Sequence, residues 1–280
     1  MDRDETLSEG RPTNSTYLLD NAAREARGRF DALSALFDRG TICHLENRGV
    51  RAGWQCLEVG GGGGSIAAWL ATRVGPTGRV LVTDVDPRFL EPLHVPSVEV
   101  LVHNIVTDFL PEGAFDLIHA RLVLIHLPER EKVLARLVAA LRPGGWLVDE
   151  ELDSASLLPD RTKYPGEILL KTQLAMMQLM DDRGVERRFG RMLFERLRSL
   201  GLAAVDAEAR MSMWHCGSPG ASLMRVNFEQ LRGAMISGGY ITEQEIAQDI
   251  AQLEDAHFMT PSPIMWTAWG RRLSTAASPR

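Results

Sequence analysis

A run of five glycines, Gly60–Gly64, constrains the fold of this 280-residue chain more than any other feature. The run is preceded by Trp54–Val59, an apolar stretch typical of a buried strand, and followed by Ile66–Val74, which is typical of a helix. Glycine allows the backbone to take positive φ and lets a ligand approach without meeting a Cβ atom. The N-terminus of the following helix offers free N–H groups to a carboxylate or phosphate. The segment therefore predicts a ligand-binding turn between a strand and a helix.

The spacing of the glycines argues against two common phosphate-binding turns. The dinucleotide pattern G-x-G-x-x-G meets Ser65 in its third glycine position when it starts at Gly60, and Ile66 when it starts at Gly61. The mononucleotide pattern G-x-x-x-x-G-K-[ST], started at Gly60, meets Ser65 and Ile66 where it needs glycine and lysine. What remains is an acidic residue followed by glycines at alternate positions, namely Glu58, Gly60, Gly62 and Gly64.

Further motifs follow in order along the chain. Arg79–Asp84 is a predicted strand that ends in a carboxylate about 20 residues past the glycines, where an acidic side chain can bind ribose hydroxyls. Val98–Val102 and Phe115–Arg121 are predicted as the third and fourth strands. Pro143-Gly144-Gly145 then ends a helical stretch and reverses the chain into a fifth strand.

Together these motifs resemble the class I S-adenosylmethionine-dependent methyltransferases, over about residues 50–153, and in particular the small-molecule branch that includes quinone-biosynthesis methyltransferases. The resemblance implies an α/β, Rossmann-like fold with a seven-stranded, mostly parallel sheet, an antiparallel last strand and helical cap insertions. We expect an N-terminal helical segment over residues 1–50 and a methyltransferase domain over residues 51–280. The cap insertions are expected at about residues 155–186 and 217–260.

Hydrophobic periodicity predicts the elements outside these motifs. A first helix is predicted over Tyr17–Phe37, and a methionine-rich helix over Pro165–Arg183. The methionines either fill the core or form a pliable wall for an apolar substrate. Leu202–Trp214 and Ile264–Gly270 are predicted strands, which the resemblance places as an antiparallel pair at one edge of the sheet. An apolar cap would enclose a small acceptor and exclude a macromolecule.

The resemblance implies S-adenosyl-L-methionine as the cofactor. Asp84 is expected to bind the ribose hydroxyls, Asn104 to accept a hydrogen bond from the adenine amino group, and Ile105 to lie against the adenine. Tyr17 either closes over the cofactor or anchors the first helix. Arg121 forms an ion pair within the fold, contacts the cofactor carboxylate or meets an anionic acceptor. The expected cofactor-binding residues are Tyr17, Glu58, Gly60, Gly61, Gly62, Ser65, Asp84, Val85, Asn104, Ile105, Ala120 and Arg121.

Three side chains near the strand ends are candidates for a general base, which is needed only if the acceptor must lose a proton. They are His119, His126 and Glu150, and each histidine has a structural role as its alternative. Glu150 and Glu151 point to opposite faces of a strand, so only one of them can face a given pocket. No metal site is expected. Catechol-type methyltransferases resemble this fold but carry magnesium-binding aspartates and an Asp-Asn pair, where this chain has His119-Ala120-Arg121 and Asp149-Glu150-Glu151.

Charge and composition limit the partners. The net charge is −6 and the basic residues are scattered, which argues against a nucleic-acid substrate. Met1–Arg11 lacks the apolar core of a signal peptide, and no apolar stretch reaches membrane-spanning length. The three cysteines form no C-x-x-C motif, which fits a reducing cytoplasm. The sequence leaves open whether the protein forms a homodimer.

These observations lead to one main hypothesis and two alternatives. The main hypothesis is metal-independent methyl transfer from S-adenosyl-L-methionine, by in-line displacement, to an O, N or C atom of a small, partly apolar metabolite. The first alternative is a non-catalytic, cofactor-binding regulatory protein with the same fold. The second is a nicotinamide-dependent oxidoreductase, which the missing third glycine disfavours.

Overall fold

A seven-stranded sheet forms the centre of the molecule. The computed structural model describes residues 18–93, 95–155 and 170–274. The strands in this part of the chain are β1 (Gln55–Val59), β2 (Arg79–Asp84), β3 (Val98–Val102), β4 (Phe115–Arg121), β5 (Leu141–Asp153), β6 (Ala203–Arg210), β7 (Met213–His215), β8 (Met259–Pro261) and β9 (Ile264–Arg271).

The strand order in the sheet is β3-β2-β1-β4-β5-β9-β6, while β7 and β8 pair in a separate two-stranded sheet. Strands β1 to β5 are parallel, and β9 is antiparallel to both of its neighbours, β5 and β6. The predicted α/β fold, with a mostly parallel sheet and an antiparallel last strand, is therefore confirmed. The chain leaves β1 toward β2 on one side and reaches β4 on the other, so the carboxyl ends of β1 and β4 flank the switch point where such folds bind ligands.

Helices cover both faces of the sheet. They are α1 (Ala26–Asn47), α2 (Ser65–Val74), α3 (Arg130–Ala140), α4 (Lys171–Asp182), α5 (Phe189–Ser199), α6 (Pro219–Ser237) and α7 (Glu243–Leu253). Helices α1 and α2 pack on one face and α3 and α5 on the other. Ser218 caps α6 through a hydrogen bond from the Ala221 N–H, and Thr242 and Glu245 form a capping box at α7.

Helices α4, α6 and α7 pack on one another and on α1 outside the sheet. In α4, Met177 is buried, and Met176 and Met180 pack against the apolar cluster that includes Leu19 and Leu231. The predicted methionine-rich helix is thus present over Lys171–Asp182, and its methionines contribute to packing. Residues 156–169, part of the first predicted insertion, lie outside the described residues. That these helices enclose an acceptor stays a prediction.

Two predicted elements begin or end at residues other than those predicted. The first helix begins at Ala26 rather than Tyr17, because residues 20–25 form turns in which the Asp20 carboxylate accepts a hydrogen bond from the Ala22 N–H. It also continues past Phe37 to Asn47. Tyr17 itself lies outside the described residues.

The predicted strand over Leu202–Trp214 is interrupted. Strand β6 ends at Arg210 and β7 begins at Met213. Between them, the Ser212 N–H donates to the Ser262 hydroxyl (3.0 Å) and the Ser262 N–H donates to the Ser212 carbonyl (2.8 Å). This pair of bonds directs β7 away from the main sheet, to β8.

Gly190 is required where α5 crosses β5. A methyl group at Gly190 would clash with the Glu151 carbonyl oxygen and lie 3.0 Å from its carbon. We expect Gly190→Ala to lower the free energy of unfolding by about 2 kcal/mol, because backbone atoms cannot rotate away from the added group. Gly233→Ala is the matched control, since an added methyl group meets no atom within 4 Å in α6 and favours the helix. Urea unfolding measures both; equal stability of the two variants would contradict the close approach.

Candidate functional site

The glycine turn is fixed to the end of β2 by backbone hydrogen bonds. Gly60, Gly62 and Gly64 have φ of 67°, 51° and 81°, values that favour glycine. The Gly60 and Gly61 N–H groups donate to the Thr83 carbonyl (2.7 and 3.1 Å). A Cβ atom at Gly60 would clash with the side chain of Val123. The turn therefore depends on glycine both for its conformation and for the close approach of its neighbours.

Asp84 connects the turn to the end of β2. Its carboxylate accepts hydrogen bonds from the N–H groups of Gly62 (3.0 Å) and Asp86 (2.9 Å). Burial raises the pKa of Asp84, and these two hydrogen bonds oppose the shift. Next to it, the side chain of Val85 is 56% exposed. The structure therefore brings Asp84 and the glycines together, as the spacing predicts, and leaves an apolar surface beside them.

The predicted adenine-binding residues follow the neighbouring strand, β3. The His103 N–H donates to the Asp84 carbonyl (2.9 Å), which places the two strand ends side by side. Asn104 is exposed, and its side-chain oxygen accepts a hydrogen bond from the Val106 N–H (3.0 Å). Ile105 is buried. Because a carbonyl oxygen can accept a second hydrogen bond, the turn at Asn104 leaves it able to bind a ligand.

A narrow cleft with a cavity volume of about 50 Å³ lies against the glycine turn. Helix α1 forms one wall of this cleft, and the ends of β1 and β4 form the other. Ser65, the first residue of α2, lies in it, and its hydroxyl contacts that of Ser34 in α1 (3.1 Å). The lining residues are Phe30, Leu33, Ser34, Glu58, Gly60, Gly61, Gly62, Gly63, Ser65, Ile66, Arg121 and Leu122.

A buried charged cluster lies beneath the cleft, between α1 and the sheet. Glu58 and His119 are register neighbours on β1 and β4, and His119 Nδ1 contacts the Glu58 carboxylate at 2.7 Å. His119 Nε2 contacts the Glu150 carboxylate at 3.4 Å. Burial alone would lower the pKa of His119, but the two carboxylates outweigh it and raise the pKa to about 9. His119 is therefore an imidazolium at neutral pH, held between two carboxylates.

Glu150 has every oxygen engaged in this cluster. It accepts hydrogen bonds from Thr41 of α1, from Thr267 (2.6 Å) and from Arg210 (2.8 Å). Burial alone would raise the pKa of Glu150, but its bond to His119 and the nearby positive charges lower it to about 2. Glu58 is the member of the cluster that lines the cleft, whereas His119 and Glu150 are fully buried behind it. A catalytic role of these two residues stays a prediction.

Arg121, at the end of β4, lines the cleft and is ion-paired within the fold. It contacts Asp38 (2.9 Å) and donates to the Thr41 hydroxyl (2.9 Å), both in α1. Ala120 precedes it and is fully buried. Leu122 follows with φ of 56°, an unusual conformation for leucine, and its N–H donates to the Glu150 carbonyl (2.9 Å). The end of β4 is thus held in one conformation beside the glycine turn.

Glu151 holds the turn that follows β4, a role that the sequence did not indicate. One oxygen of its carboxylate accepts hydrogen bonds from the N–H groups of Val123 (3.1 Å), Leu124 (2.7 Å) and Ile125 (3.2 Å). His126 closes this 3-10 turn. Burial and the charges of Arg29 and Arg130 lower the pKa of His126 to about 4, so the imidazole is neutral at pH 7.

The residues of the cleft fit the predicted cofactor in three respects. The glycines leave the backbone open, and among the described residues the Asp84 carboxylate accepts hydrogen bonds from two N–H groups, which leaves acceptor capacity for hydroxyls. Glu58 and Arg121 place opposite charges on the wall of the cleft, as an amino-acid ligand requires. The Phe30 ring covers part of this surface, since a Cβ atom at Gly62 would lie 2.7 Å from it. A ligand that lies on the turn must therefore displace or share space with this ring.

In residues 18–93, 95–155 and 170–274, no three His, Cys, Asp or Glu side chains are grouped so that they could hold a metal ion. Within the same residues, no helix has both the length and the apolar character needed to span a bilayer.

Comparisons with known proteins show what this chain is similar to. A family model described as a methyltransferase domain matches residues 57–147. The chain is 35% identical over 140 residues to methyltransferase str2 of Strobilurus tenacellus, covering 50% of each protein. It is 32% identical over 128 residues to the ubiquinone/menaquinone biosynthesis C-methyltransferase UbiE of Enterobacter sp. (strain 638), covering 43% of this chain and 51% of that protein.

The fold is also similar to solved structures. Phosphoethanolamine N-methyltransferase 2 of Haemonchus contortus, in complex with phosphomonomethylethanolamine and S-adenosylhomocysteine, has a TM-score of 0.56 at 15% identity, covering 92% of this chain and 59% of that chain. At this identity the likeness supports the fold. The chain spans about half the length of the curated relatives that it matches.

Proposed function

We propose that this chain, whose residues 57–147 match a methyltransferase domain, transfers a methyl group from S-adenosyl-L-methionine to a small, partly apolar metabolite as a class I methyltransferase does. The observation that carries the proposal is the glycine turn, in which the Gly62 N–H donates to Asp84 across the ends of β1 and β2. The sulfonium of the cofactor supplies an activated methyl group. The protein has to hold an O, N or C nucleophile in line with it.

Each part of the cleft has a role in this proposal. Asp84 accepts hydrogen bonds from the ribose hydroxyls, and Asn104 and Ile105 contact the adenine. Glu58, the glycine turn and Ser65 hold the amino-acid part. Tyr17, Val85, Ala120 and Arg121 complete the proposed set. The Phe30 ring shifts to admit the nucleoside, since a Cβ atom at Gly62 would lie only 2.7 Å from it.

Among the predicted bases, His126 has the most suitable protonation state. A pKa of about 4 makes its imidazole a proton acceptor at neutral pH, whereas His119 already carries a proton between two carboxylates. Where the acceptor must lose a proton, His126 stays the candidate base, although a low pKa makes it a weak one and it is not among the residues that line the cleft. Glu150 and His119 position Glu58. The reaction is proposed to need no metal ion.

The partners and location belong to the same proposal. The acidic net charge of −6 disfavours a nucleic-acid substrate, and the three cysteines without a C-x-x-C motif fit the cytoplasm. A homodimer is proposed as an alternative to a monomer. The geometry of the cleft is compatible with both.

Calorimetry with S-adenosylhomocysteine tests the cofactor. We expect Asp84→Ala to weaken its binding about 10- to 100-fold, because the variant loses hydrogen bonds to a charged acceptor. Asp86→Ala is the control, since that carboxylate contacts Arg88 rather than the glycine turn. No binding to the wild type at high micromolar concentration, or equal binding by Asp84→Ala, would refute the proposal. Incubation with methyl-labelled cofactor and a metabolite extract then separates an enzyme from the non-catalytic alternative, which transfers no label.

A further inference from the structure

An arginine of α3 binds the segment that follows β3. The guanidinium of Arg136 donates hydrogen bonds to three backbone carbonyls, from Nη1 to Ile105 (2.5 Å) and Val106 (2.7 Å), and from Nη2 to Asp108. A guanidinium has five N–H donors in a fixed plane, so it can hold several acceptors at once. These contacts fasten residues 105–108 to a helix that packs on the face of the sheet.

The fastened segment is a hydrogen-bonded turn that begins at Asn104. The N–H groups of Thr107 (3.1 Å) and Asp108 (2.9 Å) donate to the Asn104 carbonyl. The Asn104 side-chain oxygen accepts a hydrogen bond from the Val106 N–H (3.0 Å). A single turn cannot satisfy its own later carbonyls, because no further turn follows to donate to them. Donors from Arg136 take that place.

The turn lies beside the carboxylate that is proposed to bind the ribose. The backbone N–H of His103, directly before the turn, donates to the Asp84 carbonyl (2.9 Å). Asn104 is exposed, whereas Ile105 is buried in the apolar cluster to which α3 contributes. A movement of the turn would therefore change the position of the Asn104 side chain relative to Asp84.

From these contacts, and on the basis of the proposed function, we infer that Arg136 is a positioning residue for recognition of the purine base. It acts through Asn104 rather than on the cofactor itself. The bond from the Val106 N–H opposes rotation of the Asn104 amide, so the side-chain oxygen keeps its orientation and can accept a second hydrogen bond. The amino group of adenine can donate to this oxygen, whereas the oxo group of hypoxanthine cannot.

Calorimetry with two ligands tests this role. S-adenosylhomocysteine carries the adenine amino group, and S-inosylhomocysteine carries an oxo group in its place and is otherwise the same. We expect the wild type to prefer the adenosyl ligand by about 10-fold or more, the effect of one hydrogen bond and of the unpaired groups left without it. Arg136→Met should weaken S-adenosylhomocysteine about 10-fold and change S-inosylhomocysteine by less than about twofold, so that the preference is lost.

Arg272→Met is the matched control. Arg272 is half-buried, as Arg136 is, and donates to the backbone carbonyls of Ala139 (2.8 Å) and Leu141 at the other end of α3. Its replacement should also lower stability, but it should leave the preference for the adenosyl ligand unchanged. Arg136→Lys, which keeps the charge and fewer donors, should retain part of the preference and serves as the test if Arg136→Met does not fold.

A double-mutant cycle shows whether Arg136 acts through Asn104. Asn104→Ala alone should abolish the preference. Adding Arg136→Met to Asn104→Ala should then change the affinity for S-adenosylhomocysteine by less than about twofold, because the group that the arginine positions is already gone.

The outcomes distinguish the role of Arg136 from the proposed function. A wild type that binds S-adenosylhomocysteine without a preference over the inosyl ligand, or a preference that survives in Arg136→Met, would overturn the positioning role and leave the methyltransferase proposal in place. Equal losses for both ligands in Arg136→Met and Arg272→Met would also overturn it, since they reflect stability alone. A wild type that binds neither ligand would count against the methyltransferase proposal itself.

Discussion

Replacing His119 with leucine is expected to lower the free energy of unfolding at pH 7 by about 3–5 kcal/mol. The imidazolium lies between two buried carboxylates, at 2.7 Å from Glu58 and 3.4 Å from Glu150. Leucine would remove the cation that compensates Glu58 and one of the two cations that compensate Glu150. Thr41, Thr267 and Arg210 would still bond to Glu150, whereas Glu58 would lose its only described ion-pair partner. Denaturant unfolding at pH 7 measures the loss.

The same histidine predicts how stability changes with pH. Because the folded state raises the pKa of His119 from about 6.5 to about 9, its stabilisation is complete below pH 6.5 and is lost as the pH rises through 9. The wild type should therefore lose more stability than His119→Leu between pH 7 and pH 10. At pH 7, the unfolding free energy of His119→Gln, which keeps hydrogen bonding without the charge, should lie between those of the wild type and His119→Leu. His215→Leu changes an exposed histidine and should alter stability by less than about 0.5 kcal/mol. A His119→Leu variant as stable as the wild type at pH 7 would disprove the buried ion-pair cluster.

Much of the sheet could be predicted because its parallel strands are short apolar runs bounded by glycine, proline and turn residues. Arg79–Asp84 and Phe115–Arg121 form strands with the predicted limits. The end of β6 could not be predicted, since it depends on the hydrogen bonds between Ser212 and Ser262, 50 residues apart in sequence. The start of α1 was also wrong, because apolar spacing continues through the turns of residues 20–25 and does not mark where the helix begins.

The candidate site shows the same division between local and long-range information. The glycines and Asp84 follow from motif spacing, because consecutive parallel strands bring their carboxyl ends together. The contact of Glu58 with His119 depends on the register between β1 and β4, which the sequence does not specify.

Asp149 should make the protein less stable above pH 7, and replacing it with asparagine should remove this cost. Its carboxylate is fully buried, and neither oxygen has a hydrogen-bond partner among the described residues. Burial raises the pKa of Asp149 to about 7, from about 3.9 in an unfolded chain. Folding therefore favours the protonated acid. The contribution of protonated Asp149 to the free energy of unfolding is complete below pH 3.9 and is lost as the pH rises through 7. A pKa raised this far corresponds to a cost of several kcal/mol once the carboxyl is ionised above pH 7.

Asp149→Asn should consequently exceed the wild type in unfolding free energy by up to about 4 kcal/mol at pH 8, with the difference falling toward zero at pH 4. Asparagine has the shape of the protonated acid and, like Asp149, would find no hydrogen-bond partner among the described residues. The comparison therefore isolates the effect of the charge. The neutral residue also removes the repulsion that Asp149 exerts on the Glu151 carboxylate, which holds the turn after β4. Asp206→Asn, on the exposed edge of β6, should show no such dependence on pH. Parallel stability curves for the wild type and Asp149→Asn from pH 4 to pH 8 would mean that the Asp149 carboxylate reaches a counter-charge or solvent in the folded protein.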